Sequence, residues 1–187
     1  MITKVKSNLS LKEFLQLPET KPASEFIYGE IQQKPMPQGE HSRIQGKLCA
    51  AINQVTESKK IAYAFPELRC TFGERSIVPD VVVFQWERIP LTEKGRIANR
   101  FETYPDWCIE ILSPDQSQTK VLDNLLHCSE YGTRLGWLID PDQEAILMVF
   151  REQRVKLLRN QEILPVLERI DLKLTVNDVF NWLKMSA

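Results

Sequence analysis

The chain has 187 residues, 43% hydrophobic and 26% charged, the size and composition of one globular domain with a sizeable core. A formal net charge of −1 excludes a globally basic protein that wraps polyanions, so any contact with nucleic acid must come from a local patch. The opening MITKVKSNLSLKEFLQLPE has no apolar run of signal-peptide or membrane-span length, and the expectation is a cytoplasmic protein with no membrane partner.

No repeat, low-complexity tract or Gly/Ser linker divides the sequence. The expected organisation is a single domain over 1–187: a helix and extended arm to about residue 40, a core over about 41–150, and a C-terminal strand and helix over about 151–187. Ser10 and Glu13 form a capping-box pattern before Phe14, Leu15 and Leu17, which predicts a short helix. FIYGEIQQKPMP reads as an extended stretch turned at its glycine and ended by prolines.

Ile44, Leu48, Ala51, Ile52 and Val55 recur at helical spacing, and Ser42 with Gln45 suggests a second capping box at the start of that helix. IAYAFPELRCTF and VPDVVVF follow as β-rich stretches separated by a GERS turn. A polar loop from about Gln85 to Asp106 carries Trp86, Arg88, Lys94, Arg96 and Arg100 and is expected to be solvated. WCIEILS is the next strand and VLDNLLHCSEY the next helix, stopped by Gly132. LGWLID and AILMVF form a strand pair around the turn PDQE, where Asp140 and Asp142 read as turn residues. RVKLLR and the TVNDVFNWL helix close the chain. This order describes an α/β (α+β) architecture, a central mixed β-sheet flanked by helices. Cys49, Cys70, Cys108 and Cys128 lack any CxxC spacing and sit in apolar runs, as small buried hydrophobes do.

Two acids break the apolar pattern. Asp80 precedes four consecutive apolar residues, as in a strand covered on both faces, and Glu110 stands between Ile109 and Ile111. Alternation puts Trp107, Ile109 and Ile111 on one face and Cys108, Glu110 and Leu112 on the other. A buried ionised carboxylate needs a compensating charge. A hard divalent cation held by Asp80 and Glu110, with the backbone carbonyl of Ile111 as a third oxygen, provides one: Mg2+, or Mn2+ in its place. The competing reading makes Asp80 a turn residue and Glu110 a structural acid paired with Arg69 or Arg75. Glu67, after Pro66, is a further candidate acid or a plain strand-end residue.

VPDVVVF, WCIEILSP, the intervening helix and GTRLGWLIDP together resemble the Uma-type restriction endonuclease family, a branch of the PD-(D/E)XK nucleases, over most of the chain from Tyr28 to Asp140. The resemblance implies a restriction-endonuclease-like core, Mg2+ dependence, a DNA substrate and a homodimer. It maps the family's paired acids onto Asp80 and Glu110, and adds Glu30 in YGE and His41 at the helix entry as accessory residues. Two positions depart from the pattern. The lysine expected two residues after the acid is Leu112, and the helix position that carries it in other members is Asn124. Lys120, one helical turn before Asn124, is the substitute this reading selects for the catalytic cation. The enzyme reading is a metal-dependent endonuclease; the alternative is a dimeric nucleic-acid-binding scaffold that has lost turnover. RNA or branched DNA would suit the same chemistry.

Overall fold

Two sheets organise the computed structural model, which describes residues 4–6, 9–114 and 116–185. In chain order the elements are β1 (Lys4–Lys6), α1 (Leu11–Phe14), β2 (Ser24–Ile27), β3 (Glu30–Gln33), α2 (Gly39–Thr56), β4 (Ala62–Pro66), β5 (Cys70–Phe72), β6 (Arg75–Ile77), β7 (Val81–Gln85), β8 (Trp107–Ile111), α3 (Gln118–Tyr131), β9 (Leu135–Asp140), β10 (Ala145–Phe150), β11 (Val155–Arg159) and α4 (Val176–Asn181). The larger sheet has the order β11-β10-β9-β8-β7-β4, and only β8 and β9 run parallel. Helix α3 makes the crossover that a parallel pair requires.

The N-terminal arm departs from expectation. It builds a second, antiparallel sheet in the order β1-β3-β2-β6-β5. Its hairpin β2–β3 pairs Ser24 with Gln33, and one step further the Lys34 N–H donates to the Ala23 carbonyl at 2.9 Å. From β6 the chain passes through Val78, Pro79 and Asp80 directly into β7, so a single extended segment belongs to both sheets.

Both faces of the larger sheet are covered, as the continuous apolar run in β7 foretold. On one side Val81, Val83, Trp107, Ile109 and Ile111 pack against Ile44, Leu48 and Ile52 of α2. On the other, Val82, Phe84 and Cys108 meet Val121, Leu125 and Cys128 of α3 and Ile27, Cys70 and Ile77 of the smaller sheet. Each such fully buried Val, Leu, Ile or Phe side chain contributes roughly 1.5–3 kcal/mol relative to exposure. Among the described residues no helix is long and apolar enough to cross a membrane.

Helix starts divide between agreement and correction. Helix α1 has the expected capping box: Glu13 N–H donates to Ser10 Oγ, and the Glu13 carboxylate accepts from the Ser10 N–H. Helix α2 starts four residues earlier than the Ser42–Gln45 pattern implies, at Gly39 with Gln38 as N-cap. Gln45 is used elsewhere, donating to the Asp80 carbonyl at 2.8 Å. Gly132 ends α3 as predicted, in the left-handed region at φ 119°. A Cβ on Gly132 would also lie 2.7 Å from the Tyr104 ring. Gly132→Ala is therefore expected to destabilise the protein by more than about 1 kcal/mol, read as a lowered urea midpoint with an unchanged m-value.

Candidate active site

The antiparallel register of β7 and β8 pairs Val81 with Ile109 and Val82 with Cys108; one step further it sets Asp80 opposite Glu110. Asp80 shares the face of Val82, and Glu110 that of Cys108, so the two acids point to the same side of the sheet. They are 2% and 3% exposed. Neither meets Arg69 or Arg75, which pair with Glu19 and Asp123.

The cation that meets them is Lys34, delivered by the β2–β3 hairpin of the other sheet. Its Nζ lies 2.7 Å from Asp80 Oδ1, 3.3 Å from Glu110 Oε2 and 2.7 Å from the Val78 carbonyl. The three donors of the ammonium thus face three acceptors. Compensation of the buried acids therefore comes from a lysine of the chain itself, which the expectation of a metal alone did not foresee. The Glu25 carboxylate accepts from the Val78 N–H at 2.7 Å and fixes the backbone that leads into Asp80.

Asp80 is the better served acid. Its Oδ2 accepts from the Ile111 N–H at 2.7 Å and from His41 Nε2 at 3.0 Å. Burial alone would raise its carboxyl, but the Lys34 ammonium and the His41 hydrogen bond outweigh burial and hold it well below the usual carboxylate range. Glu110 goes the other way. Burial pushes its carboxyl well above the usual range, Lys34 opposes that only in part, and the negative charges of Asp80 and Glu25 add to it. Glu110 Oε1 is buried without a hydrogen-bond partner. Lys34 is itself desolvated, yet Asp80, Glu110 and Glu25 together raise its ammonium above the ordinary lysine value.

A cavity of about 570 Å3 opens on this cluster, lined by Lys34, Met36, His41, Glu67, Asp80 and Ser113. A larger one, about 1030 Å3, lies around Tyr28, Arg75, His127 and Tyr131 and contains neither acid. Chemistry, not volume, decides between them: Asp80 and Lys34 line the smaller one, and Glu110 is buried against the same lysine.

The structure brings Asp80, Glu110, His41 and the Ile111 backbone together. Glu67, at φ 47°, donates its N–H to the Asp80 carbonyl and keeps its side chain exposed at the cavity. Glu30 is half-buried in β3 opposite Ile27. Asn124 is buried on α3 with Oδ1 unpartnered. Lys120 is exposed in the first turn of α3 and takes part in none of the side-chain ion pairs or hydrogen bonds among the described residues, while Lys34 stands beside the acids. Sequence reasoning missed Lys34 and Glu25. His41 carried a usable signal, because it precedes Ile44, Leu48 and Ile52 at helical spacing and so shares their buried face.

The residues fit a divalent cation. Asp80 Oδ1 accepts a single hydrogen bond and Glu110 Oε1 none, which leaves two carboxylate oxygens with open lone pairs. The described residues contain no cluster of three or more metal-ligating side chains, and Mg2+, which retains several waters, needs only one or two carboxylates.

A family model described as "Putative restriction endonuclease", Uma2, matches residues 11–185. A solved structure described as a "putative nuclease belonging to DUF820", from Anabaena variabilis ATCC 29413, is 53% identical, with a TM-score of 0.92 over 94% of this chain and 99% of that one. No curated protein matches the chain.

The raised Glu110 carboxyl sets a pH dependence. Above the usual glutamate value of 4.5 the unfolded chain releases this proton while the folded one keeps it, so Glu110 stabilises the fold less and less as pH rises towards its folded-state value. Glu110→Gln is expected to flatten that decline in a series of urea midpoints taken upward from pH 4.5; an unchanged slope would contradict it.

Proposed function

The chain belongs to the Uma2 family, and we propose that it is a Mg2+-dependent endonuclease that hydrolyses phosphodiester bonds of duplex DNA, with Asp80 and Glu110 at the reacting centre. The observation that carries this reading is the incomplete pairing of the two acids beside the cavity. Two buried acids share one ammonium, and one carboxylate oxygen is left without a partner. A purely structural ion pair has no reason to leave that oxygen unpaired, since an unmet buried acceptor costs about 1–3 kcal/mol.

Asp80 and Glu110 would hold Mg2+, with the Ile111 carbonyl as a third oxygen and Mn2+ taking the same ligands. When bound, the ion offsets charge on a phosphoryl oxygen and lowers the pKa of a coordinated water. The chain's own residues prepare the site. His41 and the Ile111 N–H fix the Asp80 carboxylate in one orientation, Gln45 holds its carbonyl, and Glu25 anchors the preceding peptide. Glu110 would hold the ion in its carboxylate form. Glu67 lies at the cavity where substrate would enter, while Glu30 and Asn124 are assigned supporting places. A homodimer would present two such sites to the two strands. The scaffold reading draws on Leu112 and Asn124 at the expected lysine positions, and Lys34 beside the acids weakens it.

Nicking of supercoiled plasmid should require Mg2+ or Mn2+ and stop with EDTA. Asp80→Asn and Glu110→Gln should each lower the rate by about 100- to 1000-fold with circular dichroism unchanged. Persistent nicking by both folded variants would sink the proposal.

A further inference from the structure

The ammonium of Lys34 has acids behind it and space in front. Its side chain is 14% exposed, and it lines the 570 Å3 cavity beside Asp80. Two of its contacts are short, to Asp80 and to the Val78 carbonyl at 2.7 Å each, and the third, to Glu110, is 3.3 Å. The long one is the weakest and the easiest to exchange. The stem is held rigidly, because the Lys34 backbone continues the β2–β3 ladder through its bond to Ala23, and Pro35 follows.

We propose that Lys34 is a catalytic residue whose ammonium exchanges its contact with Glu110 for a phosphoryl oxygen of the substrate and offsets the charge that builds there during hydrolysis. The proposal rests on the nuclease reading above. In the reaction a water oxygen bonds to phosphorus and the bond from phosphorus to one sugar oxygen breaks. The water gives up one proton to solvent, and the departing sugar oxygen takes one up. Lys34 keeps its own proton throughout. Two carboxylates hold the ammonium in place at 2.7 and 3.3 Å, and a preorganised charge needs no reorganisation at the moment of reaction. This assigns part of the reacting centre to the smaller sheet, far along the chain from the acids.

The test is single-turnover cleavage of a labelled duplex by wild type, Lys34→Met, Lys34→Arg and, as control, Lys120→Ala, with Mn2+ binding measured by calorimetry and folding by thermal melting. The expectation is a loss of about 100-fold or more for Lys34→Met, with Mn2+ binding retained. Lys34→Arg should recover at least about tenfold over Lys34→Met and keep the wild-type pH profile, because it preserves the charge. Lys120→Ala should cleave like wild type. Lys34→Met that is folded and cleaves within about threefold of wild type overturns the assignment while leaving the nuclease reading intact. If Lys34→Met does not fold, the arginine variant decides: a folded, Mn2+-binding Lys34→Arg that loses the alkaline limb of the pH profile shows that Lys34 titrates in the reaction and overturns the fixed-charge role. Absence of metal-dependent cleavage by the wild type overturns both.

Discussion

One ammonium between two buried carboxylates is the constraint on which the rest of the site depends. Asp80 and Glu110 belong to neighbouring strands of one sheet, Lys34 to a hairpin of another, and the three meet where water is nearly excluded. Removing the lysine leaves two buried acids facing each other without a cation, and removing either acid leaves the lysine with one partner fewer. Breaking a buried pair in this way typically costs about 3–5 kcal/mol. The same contact that sets the chemistry therefore also fastens the smaller sheet to the larger.

The two acids are not equivalent, and the difference lies in their donors. Asp80 accepts from an ammonium, an imidazole and a backbone N–H, while Glu110 has only the longer bond from Lys34. Hydrogen bonds to the charged form favour it, and desolvation opposes it. One carboxyl is consequently held ionised and its neighbour biased towards its neutral form, so the pair holds a releasable proton beside a fixed negative charge. That division suits the metal site proposed above.

Much of this was legible in the residues themselves. The period-2 pattern of Trp107–Leu112 placed Glu110 on the face opposite Ile109, and the apolar run after Asp80 announced a strand covered on both sides. The turn at Gly29, the stop at Gly132 and the cap at Ser10 followed from local chemistry. Lys34 was not legible. In QQKPMP it sits among polar residues and prolines, the ordinary company of a solvated loop, and nothing local says that pairing of Ala23 with Lys34 aims it at strands that begin near residue 80. Lys120 attracted attention because it lies one helical turn before Asn124, yet it is exposed in α3. Sequence separation is a poor guide where partners come from different sheets. The start of α2 was misplaced for a related reason: Gln45 looked like a capping residue, but its amide serves the Asp80 carbonyl.

The passage from β6 through Val78 and Pro79 into β7 has a mechanical consequence. The strand leaves one sheet and enters the next with three residues between, one of them a proline, and Val78 is gripped on both sides, its N–H by Glu25 and its carbonyl by Lys34. There is no slack in such a splice. A sliding of one sheet over the other by an ångström has no loop here to absorb it and is passed on to the Asp80 carboxylate, so the crossing acts as a short lever between the sheets.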